Sequence, residues 1–107
     1  MNSYETVVVF DGSLPEDALH REQETVASLL RDNAELANID VWGKRDLAYD
    51  IDGKKIGHYC LFQYRGEGEL IARLDRELKM NEKVLRHLTV RSKPYVVPES
   101  PSEEPEE

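Results

Sequence analysis

The sequence has few of the residues that covalent cross-linking and membrane insertion require. Cys60 is the single cysteine among 107 residues, so the chain cannot form an internal disulfide. No apolar run approaches the ~20 residues of a membrane span. Residues 1–5 lack the charged start and apolar stretch of a secretory signal. We therefore expect one soluble, cytoplasmic domain in which Cys60 is a small buried residue.

Motifs of catalysis are also missing from the chain. It contains no glycine-rich phosphate loop and no nucleophile elbow, and His20, His58 and His87 do not have metal-ligand spacing. An acylphosphatase-like enzyme needs a phosphate-cradling loop with an arginine after its first strand, but residues 11–15 contain no arginine. The sequence therefore predicts no enzyme, no metal and no cofactor.

Positive charge is scarce overall but is concentrated in the middle of the chain. The net charge of −8 divides into −6 for residues 1–38, +3 for residues 39–95 and −5 for residues 96–107. An anionic partner, if the protein has one, is expected to bind the central block, where basic residues outnumber acidic ones; on charge alone, the alternative is that the block is only solvated surface.

Residues 4–10 form a β-branched and aromatic run that favours a strand near the centre of a sheet. Ser13 and Glu16 have the spacing of a capping box and Pro15 fits a first helical turn, which predicts a helix over residues 15–32. Residues 33–38 are expected to form a connector.

A β-hairpin is predicted over residues 39–65. Residues 42–51 read as a charged edge strand with a bulge at Gly43, and Asp52-Gly53 is a turn signal before the aromatic strand 56–64. A second helix over residues 69–80 and a charged strand over residues 83–91 follow. The polar, proline-rich residues 96–107 are expected to be a disordered tail after a domain of residues 1–95.

The order strand–helix–strand–strand–helix–strand predicts an α+β, ferredoxin-like fold. We expect a four-stranded sheet of the antiparallel type with both helices on one face. The first and third strands should be parallel neighbours in its middle, and the second and fourth should be its edges.

One face of this sheet is expected to remain uncovered. If Thr6, Val8 and Phe10 point to the helices, Val7 and Val9 share the other face with Tyr59, Leu61 and Gln63 from the third strand. An apolar patch of this kind indicates a protein or nucleic-acid contact, and the alternative is a partly exposed patch without a role. Base stacking like that of an RNA-recognition motif is disfavoured, because the first strand has valines where an aromatic residue is wanted.

Residues 43–51, Gly-Lys-Arg-Asp-Leu-Ala-Tyr-Asp-Ile, resemble the signature of the bacterial small-subunit ribosomal protein S-six (S6) family. That signature is Gly, any residue, a basic residue, a polar residue, Leu, a small residue, Tyr, any residue and Ile. The family usually continues with a basic or small polar residue, where this chain has Asp52. The resemblance covers about residues 4–93.

The resemblance implies a ferredoxin-like protein that binds the central domain of small-subunit ribosomal RNA as a heterodimer with small-subunit ribosomal protein S-eighteen. Arg86 matches a family arginine that contacts RNA, while basic family positions near RNA or the partner match Arg45, Lys79 and Arg91. Lys93 belongs to the positively charged block of residues 39–95. Candidate partner contacts are the open-face and edge-strand residues Val7, Val9, Trp42, Lys44, Tyr59 and Leu61. The alternative is a ferredoxin-like regulatory module that binds a small molecule.

Overall fold

The structure, a computed structural model, describes residues 2–92. Lys93 and the predicted tail of residues 96–107 lie outside the described residues. The elements follow the predicted order and are β1 (Asn2–Asp11), α1 (Glu16–Asn33), β2 (Glu35–Ile51), β3 (Lys54–Gly66), α2 (Gly68–Met80) and β4 (Val84–Ser92). The predicted order of elements is therefore confirmed.

The four strands form one sheet in the order β2-β3-β1-β4, with β1 and β3 in the middle. Each neighbouring pair is antiparallel. The ferredoxin-like class and the edge positions of β2 and β4 are confirmed, but the prediction that β1 and β3 run parallel is wrong. The crossover through α1 makes β1 and β2 parallel, and the hairpin then reverses the chain, so β3 must run against β1.

The core lies between one face of the sheet and the two helices. Alternate residues of the central strands are buried there, including Val8 and Phe10 of β1 and Phe62 of β3. The helices contribute the buried residues Leu19, Val26, Ala27, Leu30, Leu70, Leu74 and Leu78. The period of two in the strands thus meets the period near 3.6 in the helices, as the sequence predicts.

The predicted capping box at the start of α1 is wrong. Pro15 is the N-cap residue and has no side-chain cap hydrogen bond. Ser13 instead donates from its hydroxyl, at 2.6 Å, and from its backbone N–H, at 2.9 Å, to Oδ1 of Asp11. The serine therefore closes the turn after β1 and does not cap the helix.

The predicted connector of residues 33–38 is also wrong, because β2 begins at Glu35 and only Ala34 separates it from α1. Glu35 pairs with Arg65 and Leu36 with Tyr64, so the polar residues at the start of β2 are already part of the sheet. An edge strand needs few apolar residues, which hides its start from a hydrophobicity pattern.

The β2–β3 hairpin carries the backbone features that its glycines predicted. Asp52 and Gly53 have φ values of 51° and 79°, and positive φ at both central residues is the requirement of a type I′ turn. Gly43 has a φ of 89° and lies where the pairing with β3 shifts between Val41 and Gly43. The predicted bulge is therefore confirmed, and bulges increase local twist.

Candidate nucleic-acid and protein interface

The open face is the side of the sheet away from the helices. We define it by its apolar members Val7, Trp42, Tyr59, Leu61, Leu88 and Val90. Its central row is formed by Val7 of β1, which pairs with Leu61 on one side and Leu88 on the other. Leu88 is 62% exposed and Val90 is 45% exposed. Contiguous apolar surface of this kind marks an interaction site on a soluble protein.

An aromatic pair widens the open face toward β2. The Trp42 and Tyr59 rings are stacked at 18°, with their centroids 6.3 Å apart. The Trp42 indole donates from Nε1 to Oδ2 of Asp40 at 3.0 Å, which fixes the ring beside the edge of the sheet. Two ordered rings therefore border the apolar row, where they offer a partner contact area at low entropic cost.

Val9 does not belong to the exposed surface, and the prediction that it does is wrong. It is 3% exposed, although its strand register places it on the same side of the sheet as Val7. The bulged hairpin crosses this end of the sheet, so that Val9, Leu47, Tyr49 and Tyr59 line one small cavity of about 70 Å³. The twist of the hairpin thus converts an open-face position into a buried one.

The end of the open face near the start of β1 is polar and acidic. Gln63 connects two strands there, since its Nε2 donates to Oε2 of Glu5 at 2.9 Å and its Oε1 accepts from Asn38 at 3.0 Å. Asp40 carries a second carboxylate on the adjoining part of β2. A positively charged partner segment is complementary to this end.

The opposite end of the open face carries two arginines, Arg45 and Arg86, which we call the basic end. Arg86 pairs with Val9 and Arg45 pairs with Gly57, and both of these partner positions lie on the open side of the sheet. Within residues 2–92, neither guanidinium has a carboxylate in salt-bridge contact. Charge left unpaired at one end of a face is suited to binding an anion.

Arg86 is held by a tyrosine of the hairpin. Its Nη2 donates to the hydroxyl of Tyr49, and its guanidinium carbon lies 5.4 Å from the centre of the Tyr49 ring. The hydrogen bond to Tyr49 raises the pKa of Arg86. The predicted RNA-binding residue is therefore ordered in the free chain and fully charged.

The other predicted basic residues lie elsewhere. Lys44 pairs with His58 on the helix side of the sheet, and Lys79 in the last turn of α2 lies 3.9 Å from Asp75. Arg91 donates to Oδ1 of Asn2 at 2.8 Å near the far end of β4. The structure brings Arg45 and Arg86 onto one face and separates them from these three residues.

Leu88 and Val90 of the open face, and Tyr49 beside its basic end, were missed as site residues in the sequence. The alternation of Leu88 and Val90 with Thr89 along β4 is a signal that identifies the first two. Tyr49 is the tyrosine of the signature in residues 43–51, but no pattern along the chain indicates its contact with Arg86, which lies 37 positions away.

No chemistry is indicated by the cysteine or the histidines. Burial, with a smaller effect of Asp40, raises the pKa of the Cys60 thiol to about 11, so the thiol is protonated and unreactive near neutral pH. His20 is exposed, and His58 is buried in a 2.6 Å hydrogen bond with Gln23. Within residues 2–92, no cluster of His, Cys, Asp or Glu has the geometry to hold a metal ion. No helix in this part of the chain is long and apolar enough to cross a membrane.

The fold is ferredoxin-like, and its bare, charged sheet face is of the kind that binds other macromolecules. Residues 3–91 match the family model described as Ribosomal protein S6. The chain therefore belongs to the ribosomal protein S6 family. This membership confirms the predictions of a ribosomal, non-enzymatic protein of the cytoplasm.

Individual relatives agree with the family model. The chain is 37% identical to small ribosomal subunit protein bS6 of Synechocystis over 97% of its own length and 89% of that protein. It is 39% identical to the bS6 protein of Natranaerobius thermophilus over 85% of its length and 96% of that protein. The crystal structure of ribosomal protein S6 from Thermotoga maritima superposes with a TM-score of 0.80 at 20% identity. That match covers 85% of this chain and 87% of the other, and it supports the fold.

Proposed function

We propose that this protein is a structural component of the small ribosomal subunit that binds the central domain of small-subunit ribosomal RNA together with protein S-eighteen. The observation that supports this most is the division of one sheet face into a basic end, an apolar middle and an acidic end. RNA contacts the basic end and the partner protein covers the rest. The protein performs no catalysis.

The basic end contacts RNA phosphates through Arg45 and Arg86. An arginine presents a planar fork of donors that matches phosphate oxygens. When two arginines without carboxylate partners bind phosphates, few counterions are released from the RNA. The RNA affinity of this chain alone is therefore weak and falls modestly with salt. The net charge of −8 weakens it further. A second, basic protein is therefore needed to complete a stable RNA complex.

The partner protein binds the apolar row and the acidic end. Leu88 and Val90 are the most exposed apolar residues of the face and become buried on association. Glu5 and Asp40 lie where basic residues of the partner complete the contact. A basic partner satisfies both the charge of this end and the charge that the RNA requires.

The RNA contact is tested by Arg86→Ala, with binding of a central-domain transcript measured over a range of salt concentrations in the presence of S-eighteen. Loss of one phosphate contact should reduce the salt slope by about one unit. The unfolding free energy should stay within about 0.5 kcal/mol, because Arg86 is exposed. Arg31→Ala is the matched control, since Arg31 is an exposed arginine of α1 paired with Glu24 at 2.7 Å. Equal slopes for Arg86→Ala and wild type would remove Arg86 from the interface.

The partner contact is tested by Leu88→Gln, with S-eighteen binding measured by calorimetry. We expect a loss of at least about five-fold, because Gln places an unpaired amide where the partner would bury an apolar side chain. Met80→Gln is the control, because Met80 is 73% exposed at the end of α2 and away from the open face. Equal affinities for the two variants would contradict the placement of the partner on this face.

A further inference from the structure

We propose that Tyr49 is a positioning residue that holds the Arg86 guanidinium ready to bind an anionic oxygen of RNA. This inference rests on the proposed RNA contact and extends it to a residue with no charge of its own. Tyr49 lies in β2 and Arg86 in β4, the two opposite edges of the sheet. The contact therefore depends on the hairpin crossing the open face.

Tyr49 restrains Arg86 in two ways at once. Its hydroxyl accepts a hydrogen bond from Nη2, and its ring lies 5.4 Å from the guanidinium carbon. The first contact fixes the rotation of the guanidinium, and the second fixes its distance from the hairpin. An exposed arginine without such contacts samples many rotamers.

The tyrosine orders the arginine without neutralising it. Other arginines are held by carboxylates, as in the pairs Arg31–Glu24 at 2.7 Å and Arg65–Glu35 at 3.2 Å. A carboxylate partner cancels most of the local positive charge and competes with a phosphate. The neutral Tyr49 hydroxyl occupies one of the five N–H donors of Arg86, which leaves the charge and the remaining donors for a ligand.

The hairpin provides the support that Tyr49 needs for this role. Leu47 and Tyr49 line the small cavity over Val9 together with Ile51 and Tyr59. Gly57 lets the hairpin approach this closely, because a Cβ atom there would lie 2.6 Å from Cγ1 of Val9 and 3.0 Å from Cδ2 of Leu47. Tyr49 itself is 59% exposed, so it contributes little to the core.

Ordering Arg86 in advance lowers the entropy that binding must remove. Immobilising one long side chain at an interface changes affinity by roughly two- to ten-fold. Tyr49→Leu, which loses the hydroxyl and the ring, should weaken RNA binding by that factor. Tyr49→Phe keeps the ring and loses only the hydroxyl. On a logarithmic scale it should weaken RNA binding about half as much as Tyr49→Leu does.

The salt dependence distinguishes positioning from direct charge contact. Tyr49→Leu leaves the charge of Arg86 in place, so the affinity should fall while the salt slope stays unchanged. Arg86→Ala should reduce the slope by about one unit. In the Arg86→Ala background, Tyr49→Leu should have no further effect, because the group that it positions is gone.

The measurement uses the full chain, S-eighteen and a central-domain transcript of small-subunit ribosomal RNA. Nuclear magnetic resonance of the free chain provides a second readout, in which the Arg86 Nε–H should be ordered in wild type and mobile in Tyr49→Leu. An affinity loss for Arg86→Ala with none for Tyr49→Leu would overturn the inference and leave the proposed function intact. An Arg86 side chain equally mobile in wild type and Tyr49→Leu would also overturn it. If Arg86→Ala changes neither affinity nor slope, the proposed contact of Arg86 with RNA itself fails.

Discussion

Removing the buried Thr6 hydroxyl should lower the unfolding free energy more than removing a polar group from the surface. Its Oγ1 lies 2.8 Å from the Tyr64 hydroxyl and 2.8 Å from Oγ1 of Thr89, and it thereby joins three strands on the helix side of the sheet. Thr6 is completely buried and Tyr64 is 1% exposed, so water cannot replace the lost bonds. Thr6→Val keeps the shape of the side chain and removes the bonds of Thr6 to both hydroxyls, so that Tyr64 and Thr89 retain only each other. Loss of the hydrogen bonds of a buried hydroxyl costs about 1–3 kcal/mol of unfolding free energy.

The assay is urea denaturation of Thr6→Val, Tyr64→Phe and the double variant. Tyr64→Phe alone should cost about 1 kcal/mol, because Thr6 retains its bond to Thr89. The double variant should be more stable than the sum of the single losses predicts by about 1 kcal/mol, since the hydrogen bond between Thr6 and Tyr64 can be lost only once. Strict additivity of the two substitutions would refute the shared hydrogen bond.

Two further stability predictions follow from close contacts. Gly57→Ala should cost about 1–3 kcal/mol in urea denaturation through its 2.6 Å approach to Val9, and Val9→Ala should relieve part of that cost; full additivity would contradict the clash. Burial acts to raise the pKa of Asp11, but hydrogen bonds from Ser13 and the charge of Lys54 outweigh it and lower the pKa. Asp11 thus stabilises the fold above the carboxyl's ordinary pKa, and this stabilisation is lost as the pH falls. Asp11→Asn should cost about 1–2 kcal/mol at pH 7, and the deficit should shrink between about pH 5 and pH 2; a constant deficit would exclude this linkage.

The sequence predicted those parts of the fold that depend on local periodicity. Thr6, Val8 and Phe10 recur at every second residue of β1, and Leu70, Leu74 and Leu78 repeat at helical spacing, so the core-facing side of both elements was identified. Gly43 and the Asp52-Gly53 turn were recognised because positive φ restricts the choice of residue. Ser13 was misinterpreted because capping and turn closure require the same side chain, and only the three-dimensional position of Asp11 distinguishes them.

The parts of the site that the sequence did not predict depend on sheet twist. Val9 is buried because the bulged hairpin turns back over it, and the same turn brings Tyr49 to Arg86. Neither contact follows from a pattern along one strand, since the angle of the hairpin is a property of the paired strands. Arg45 and Arg86 were named individually, but their position at one end of the face required the register of the whole sheet.

The central claim is that the open face, and not the helix layer, carries both contacts. Protein–RNA and protein–protein cross-linking of purified small subunits, read by mass spectrometry, tests it most directly. We predict RNA cross-links at peptides that contain Arg45, Tyr49 and Arg86, and S-eighteen cross-links beside Leu61 and Leu88. RNA and partner cross-links confined to the outer surfaces of α1 and α2 would contradict the account.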